Sequence, residues 1–197
     1  LLKQSGLALA APSANKFTQL SPTTAAHVTA SLGDAIAVLD GGACEVGIES
    51  TIVAVTNNQN GESWQLLRLG MLPEANIHAV AGVPATKATQ AIKAPGQHVL
   101  HYSPRTPMQL FTTRADLISY ASTHSNVRAA ALLLGAGAVP NCTYFELNNN
   151  VTDVAQKLYD TLHKMDALNV EQLLIEAPPN AIEWLAILDR LTRAAHR

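Results

Sequence analysis

The chain has 197 residues, of which 48% are hydrophobic and 14% are charged, and its formal net charge is −2. A chain of this length and hydrophobic content folds into one or two domains, which excludes a disordered tail. The charge balance offers no broad basic face for tight nucleic-acid binding, and no apolar run reaches the length that spans a membrane.

The first predicted elements are a strand, a polar turn and a helix. Residues 7–11 form a short apolar run that predicts a buried strand. Ser13 and Asn15 follow two residues apart, so both side chains face the same way in an extended segment. Ser21-Pro22 predicts a helix start with serine as the N-cap, and Gly33 ends that helix. Free N–H groups at a helix start suit an anion such as phosphate, but a turn and a helix cap alone explain the same residues.

A glycine-rich segment separates two more predicted strands. Residues 35–39 are apolar and predict one strand, and residues 50–55 begin another. Three of the seven residues from 41 to 47 are glycine, which indicates backbone conformations closed to other residues or close approach to a ligand. The next strand carries Arg68, and an Asn-Gly pair in the segment 57–61 predicts that a hairpin turn joins it to the strand before.

Two linker-like segments follow this hairpin. A short helix begins after Pro73, and residues 83–94 then lack a clear hydrophobic period and are typical of a flexible linker. Residues 95–106 form a second linker segment, which carries His101 and Tyr102.

The last part of the chain, residues 107–197, alternates strands with helices and predicts a small open α/β sheet. Predicted strands cover residues 108–112, 129–134, 143–147 and 172–175, and predicted helices cover 114–124, the segment capped by Asn150, and 181–195. Gly135-Ala136-Gly137 hints at a dinucleotide-binding loop. The third glycine of that fingerprint and the helix that should open there are absent, which favours a strand-end turn.

Cysteines and histidines predict no metal site and no disulfide framework. Cys44 and Cys142 fall in different predicted domains, and no CxxC pair is present, so the chain fits a reducing cytoplasm. His98 and His101 lie three residues apart but lack a third ligand nearby.

Four short segments, taken in order, resemble a known family. They are Ser13-Ala14-Asn15 with Ser21-Pro22-Thr23, Gly47-Ile48-Glu49-Ser50-Thr51-Ile52, Arg68-Leu69-Gly70, and Pro95-Gly96 with His101-Tyr102-Ser103-Pro104. Together they resemble the YrdC-like threonylcarbamoyl-AMP synthases in their two-domain form, over nearly the whole chain. The resemblance implies part of a YrdC-like twisted-sheet catalytic domain at residues 1–94, a linker over the active site at 95–106, and a Rossmann-like α/β domain at 107–197.

The resemblance also implies a reaction. Members of this family are nucleotidyltransferases that join L-threonine, bicarbonate and ATP into threonylcarbamoyl-AMP and release pyrophosphate. The product feeds the threonylcarbamoyl modification of adenosine 37 in certain tRNAs, which implies a cytoplasmic enzyme with downstream tRNA-modification partners. Magnesium is expected to arrive with ATP. Because the family's N-terminal half has no counterpart here, we expect the chain to be the C-terminal part of a longer protein, with residues 1–94 unstable alone.

The resemblance assigns binding roles but no catalytic residue and no metal ligand. Ser13, Asn15 and Ser21 are expected to contact ATP, Arg68 to meet nucleotide phosphate as a charged fork, and Ser50 to hold threonine. His101 and Tyr102 are expected to join the ATP site as part of a lid. Simpler roles stay open, because an arginine on a strand can project to solvent and a His-Tyr pair can serve as hinge packing.

Two other functions are compatible with the sequence. YrdC-like domains are also ascribed a non-catalytic role as RNA-binding or ribosome-associated modules, which the near-neutral composition disfavours. The C-terminal α/β unit is also compatible with a regulatory or protein-docking role alone, since the resemblance gives it no catalytic motif.

Overall fold

The computed structural model describes residues 1–58, 61–86, 94–95 and 101–196, which form a mixed α/β fold. The helices are α1 (Leu2–Ser5), α2 (Ala25–Leu32), α3 (Glu74–Ala81), α4 (Arg114–Thr123), α5 (Val151–Asp166) and α6 (Leu185–Ala195), the last preceded by a 3₁₀ turn at Ile182–Trp184. The strands are β1 (Ile52–Asn58), β2 (Gly61–Arg68), β3 (Met108–Phe111), β4 (Ala129–Leu134), β5 (Thr143–Leu147) and β6 (Gln172–Glu176). The predicted α/β class is confirmed.

The last four strands form a parallel sheet in the order β3-β6-β4-β5. The central residues of β4 are all apolar and buried, as expected for a strand covered on both faces. On one face Leu117 and Ala121 of α4 pack with Leu133, and on the other Leu158 of α5 and Leu191 of α6 pack with the rest of the core. Helices α5 and α6 pack against this sheet, and their side chains that face away from it contact the first half of the chain.

Asn150 caps α5, as the sequence predicts. Its Oδ1 accepts hydrogen bonds from the backbone N–H groups of Thr152 at 3.0 Å and Asp153 at 3.1 Å. These bonds satisfy amides that have no partner inside the helix, and they fix where α5 begins.

The loop at Gly135-Ala136-Gly137 is a strand-end turn. No helix opens there, and Arg114 Nη1 donates to the Ala136 carbonyl oxygen at 2.7 Å. A Cβ on Gly137 would lie 2.8 Å from the same Arg114 nitrogen, so this side chain already fills the space beside the loop.

A two-stranded antiparallel hairpin, β1–β2, precedes the parallel sheet. Its register pairs Ile52 with Arg68, which places both at the open end of the hairpin. Trp64 anchors β2, because its indole is buried and donates to the Val83 carbonyl oxygen at 2.9 Å. Two residues of the predicted hairpin turn, 59 and 60, lie outside the described residues.

Two predicted strands, at residues 7–11 and 35–39, are wrong. Both segments have irregular backbone, and their apolar side chains are largely exposed, with Leu39 at 78%. A strand exists only where a neighbour supplies ladder hydrogen bonds, and within the described residues neither segment has one. The apolar pattern matches the composition of a buried strand, but it does not reveal whether a partner strand lies beside the segment.

The predicted helix start at Ser21 is also wrong. Helix α2 begins at Ala25, and its N-cap is Thr24, whose hydroxyl accepts from the His27 backbone N–H. Thr24 holds the extended backbone of an N-cap, whereas Ser21 uses its hydroxyl elsewhere in the structure.

The two halves of the chain share a core. Leu20, Ile48 and Tyr102 are buried in the same apolar cluster as the inner faces of α5 and α6. Gly47 lies so close to α5 that a Cβ there would stand 2.3 Å from the Ala155 carbonyl oxygen. The glycine-rich segment is therefore packed directly against the C-terminal unit.

The structure describes only part of the two predicted linkers. Residues 87–93 and 96–100, which include His98, fall outside the described residues. Ser103 is described, and it forms a parallel bridge with Gln19. Among the described residues, no helix has the length and apolar character needed to cross a membrane.

Candidate functional site

Arg68 at the end of β2 is bonded to Ser50, which lies just before β1. Its Nε donates to the Ser50 carbonyl oxygen at 3.0 Å, and its Nη2 donates to the Ser50 Oγ at 3.3 Å. Its Nη1 donates to the Pro95 carbonyl oxygen at 3.2 Å. The structure thus brings together the residue predicted for threonine and the residue predicted for phosphate.

Gly70 allows the two strand ends to approach this closely. A Cβ at this position would lie 2.2 Å from the Thr51 backbone nitrogen and 2.6 Å from the Ser50 carbonyl carbon. Real side chains do not tolerate such distances, so only glycine fits beside Ser50 without moving the backbone. The glycine of the Arg-x-Gly segment is explained by this approach.

Ser21 is connected to the residue that precedes Ser50, because its side chain bonds to Glu49. Its Oγ donates to Glu49 Oε1 at 2.5 Å, and its carbonyl oxygen lies 3.2 Å from His163 Nε2. The residue is buried. A bond donated by the Ser21 hydroxyl to an ATP phosphate therefore requires its bond to Glu49 to open.

Ser13 and Asn15 form a tight polar turn. The Ser13 Oγ donates to Asn15 Oδ1 at 2.5 Å, and Asn15 Nδ2 donates to the Gln19 carbonyl oxygen at 2.9 Å. Within the turn Ala14 and Thr18 have φ values of 57° and 69°, a region that side chains disfavour and a β-branched residue strongly so. Strained backbone held by side-chain bonds is common at ligand sites.

The His101–Tyr102 segment lies against this turn. The Ser103 backbone N–H donates to the Thr18 carbonyl oxygen at 2.8 Å, and the His101 ring meets the Phe17 ring edge-on at 6.1 Å between centroids. Tyr102 is only 1% exposed and has a φ of 61°. The pair is therefore packed into the body of the protein in this conformation.

The Tyr102 hydroxyl is buried and makes no hydrogen bond to a described residue. Burial raises the pKa of this hydroxyl, and the Glu49 carboxylate raises it further, while the Arg190 and Arg68 guanidinium groups act in the opposite direction. Tyr102 therefore stays neutral at physiological pH.

Two residues that the sequence reasoning did not assign, Glu49 and Arg190, connect these parts. Arg190 on α6 donates from Nε to Glu49 Oε2 at 2.9 Å and from Nη2 to the Leu69 carbonyl oxygen at 2.7 Å. Its guanidinium carbon also lies 5.1 Å from the centroid of the Tyr102 ring. A charged residue on the apolar stripe of α6, beside Ile187 and Leu191, was the signal in the sequence.

The charges in this cluster reinforce one another. Burial opposes the charged form of Arg190, but Tyr159 and the Glu49 carboxylate outweigh it, so the pKa of the guanidinium is raised. Burial and the Glu49 charge raise the pKa of Tyr159 well above its ordinary value, and its hydroxyl donates to Glu49 Oε2 at 3.2 Å. Glu49 is thus a carboxylate held by three donors.

A cavity of about 560 Å³ lies beside the site, where α2 faces α5. His27 and His163 are both in its lining, and their rings stack against each other at 4.0 Å between centroids. Burial lowers the pKa of both histidines, and for His27 the charge of His163 lowers it further. Asp160 partly offsets the shift of His27, and the Ser21 carbonyl, Asp166 and Asp160 partly offset that of His163. Both pKa values still lie below the ordinary histidine value, so the pair is neutral at pH 7.

The exposed part of the arrangement suits a small polar ligand that carries negative charge. Ser50 offers an exposed hydroxyl, and Arg68 offers a planar cation of the kind that recognises carboxylates and phosphates. Among the described residues, no three His, Cys, Asp or Glu side chains are grouped so that they can hold a metal ion. Ser50 and Arg68 are able to bind such a ligand and to stabilise its charge.

Comparison with known families matches both halves of the chain. A family described as the C-terminal domain of threonylcarbamoyl-AMP synthase matches residues 71–196, and a family described as telomere recombination matches residues 1–70. The threonylcarbamoyl-AMP synthase of Pyrococcus abyssi is 30% identical over 209 residues, which cover 99% of this chain and 60% of the relative. That of Bacillus subtilis is 31% identical over 211 residues, covering 99% and 59%.

Solved structures agree with this match. A crystal structure of P. abyssi Sua5 complexed with L-threonine is similar with a TM-score of 0.79 and 27% identity, over 98% of this chain and 59% of that chain. A variant of that protein, with an adjacent histidine and tyrosine both replaced by alanine, gives a TM-score of 0.77 at 27% identity, over 98% and 58%. The chain spans about 60% of the length of the curated relatives.

Proposed function

The chain belongs to the threonylcarbamoyl-AMP synthase family, and we propose that it carries part of the site for that reaction. In this proposal, L-threonine, bicarbonate and ATP give threonylcarbamoyl-AMP and pyrophosphate. The observation that supports it most is the direct bonding of Arg68 to Ser50, because it joins a phosphate-type cation to a hydroxyl suited to a small amino acid.

The proposed roles follow from what each group can do. The threonine amine and bicarbonate condense to a carbamate with loss of water. A carbamate oxygen then attacks the α-phosphorus of ATP while the bond to the β-phosphate breaks, and pyrophosphate leaves. Ser50 holds the threonine moiety, and Arg68 stabilises charge on the nucleotide phosphates. Neither group has to form a covalent bond to substrate, which is consistent with a site that has no assigned nucleophile.

The remaining predicted contacts belong to the ATP side of the site. Ser13, Asn15 and Ser21 supply hydroxyl and amide groups for ribose, adenine or phosphate, and His101 with Tyr102 closes over the nucleotide. Of these residues, Ser21 and Tyr102 are both buried, so nucleotide contact by either involves a local rearrangement.

Magnesium enters this proposal only with ATP. The described residues offer no ready group of metal-ligating side chains, and Mg²⁺ is commonly held by substrate phosphates and water with few protein ligands. We also propose that the product is passed to tRNA-modification machinery in the cytoplasm, with at most weak RNA binding by this chain.

The test is pyrophosphate release by this chain and by any longer protein of which it is a part, with threonine, bicarbonate and ATP omitted one at a time. The proposal predicts release only when all three are present, with threonylcarbamoyl-AMP detected by mass spectrometry. Turnover of ATP that is equal without threonine contradicts it. Salt-sensitive RNA binding in a gel shift, without such turnover, supports the RNA-binding alternative instead.

A further inference from the structure

Arg190 is a buried cation that reaches out of the C-terminal unit. Its side chain is 1% exposed although it carries a full charge, which is costly unless each donor is paired. Its three nitrogens donate to Glu49 Oε2 at 2.9 Å, to Asp189 Oδ2 at 2.8 Å and to the Leu69 carbonyl oxygen at 2.7 Å. Two of the three acceptors belong to the first half of the chain.

These two acceptors are the direct neighbours of the proposed ligand-binding residues. Glu49 precedes Ser50, and Leu69 follows Arg68. One guanidinium therefore connects the two sides of the open end of the β1–β2 hairpin, through the Leu69 backbone on one side and the Glu49 side chain on the other. The planar fork of arginine makes this possible, because it donates in several fixed directions at once, whereas lysine presents a single point charge.

Glu49 completes the connection from the other side. Its carboxylate accepts from Ser21 on Oε1 and from Tyr159 and Arg190 on Oε2. A carboxylate bonded by donors from two elements of the C-terminal unit cannot shift without breaking charge-assisted bonds. The backbone leading into Ser50 is held in place by α5 and α6.

We propose that Arg190 is a positioning residue for the ligand site, acting through Glu49 and Leu69 on Ser50 and Arg68. The inference rests on the proposed function for the identity of the ligand, and on geometry alone for the positioning. It gives the C-terminal unit an indirect part in threonine and ATP binding, through the placement of Ser50 and Arg68.

The experiment compares Arg190→Lys with Arg114→Lys in the full-length protein. Arg114 is a matched control because it also makes several bonds, to Glu176 and to the Leu134 and Ala136 carbonyl oxygens, but all of them lie within the C-terminal unit. Two readouts are taken, namely amide hydrogen exchange at residues 49–52 and 68–71, and the KM and kcat for threonine.

Arg190→Lys is expected to speed exchange at both segments and to raise the threonine KM by roughly 10- to 100-fold, as misplaced binding groups do. Arg114→Lys is expected to leave both readouts unchanged, even where it lowers the melting temperature. A threonine KM for Arg190→Lys that equals the wild-type value overturns the proposal, and so does unchanged exchange at both segments.

The two proposals fail in different ways. If wild-type protein shows no threonine-dependent turnover, the proposed function fails, and exchange at the two segments still decides whether Arg190 positions them. If Arg190→Lys is too unstable to purify, Glu49→Gln replaces it. Glu49→Gln keeps the shape of the side chain and removes the charge, and it must show the same local exchange for the proposal to stand.

Discussion

The closest packing in the candidate site is at Gly70. Its position against Ser50 and Thr51 leaves no room for a side chain, although its backbone lies outside the left-handed region. Glycine is therefore required at this position because a side chain would not fit, and not because the backbone is left-handed. The glycines at turns, by contrast, have positive φ values. The bonding of Arg68 to Ser50 depends on that space.

Gly70→Ala is expected to push the backbone at Ser50 away from Arg68 and to lower kcat/KM for threonine by about tenfold or more. Gly41→Ala is the control, because Gly41 also lies outside the left-handed region and has nothing within 4 Å of an added Cβ. The measurement is steady-state kinetics on both variants. Equal activity of the two variants contradicts the packing argument.

Among the elements, the contact between the glycine-rich loop and α5 holds the first half of the chain onto the second. Gly47 has a φ of 85°, and an added Cβ would stand 2.3 Å from the Ala155 carbonyl oxygen. Ile48 follows directly and is buried in the core that α5 and α6 share. Docking of this loop places Glu49 within reach of Arg190.

Gly47→Ala is expected to lower the free energy of unfolding by at least ~2 kcal/mol, since it combines strain at positive φ with a backbone clash. Gly42→Ala isolates the clash, because Gly42 has a φ of 89° but open space around it. Urea denaturation of both variants is the measurement. Equal losses in the two variants mean that the contact with α5 contributes nothing.

The sequence predicted the C-terminal unit better than the first half. The strand over residues 129–134 and the cap at Asn150 follow from local pattern, and both are present. The strands expected at residues 7–11 and 35–39 are absent, because an apolar run does not reveal whether a partner strand lies beside it.

The candidate site was also predicted only in part, because local sequence pattern does not reveal contacts between distant residues. Motif resemblance named Ser50 and Arg68, which the structure bonds together. Glu49 and Arg190 are 141 residues apart in the chain, and no local pattern joins residues that distant. Only the position of Arg190 on an apolar helix stripe indicated that its charge needed a buried partner.

Considered as a whole, the molecule has two halves joined by a charged cluster around Glu49 and by a second polar contact at His27 and His163. Burial lowers the pKa of both histidines, so the folded protein binds fewer protons there than the unfolded chain does. Stability from this contact is present above the unfolded value of about 6.5 and is lost as the pH falls through the lowered values.

The free energy of unfolding is therefore expected to fall as the pH is lowered from 7.5 to 5.5. Asp166 does not contribute in this range: burial opposes its charge, but bonds from Thr106 and Arg105 lower its pKa below 3.8. His163→Gln should flatten the slope, whereas His78→Gln, on the exposed side of α3, should preserve it. The measurement is the urea midpoint of each protein across this pH range. A wild-type midpoint that does not change with pH would falsify the assignment of this pH dependence to His27 and His163.

The decisive measurement is a calorimetric titration of L-threonine into the full-length protein and its Ser50→Ala variant. Ser63→Ala is the matched control, because it removes a hydroxyl from the same hairpin, where Ser63 Oγ lies 2.7 Å from Thr56 Oγ1 on the neighbouring strand. We expect Ser50→Ala to weaken threonine binding by about tenfold, the effect of losing one well-placed hydrogen bond, and Ser63→Ala to leave it unchanged. Threonine affinity that is the same in all three proteins contradicts the placement of the site at the open end of this hairpin.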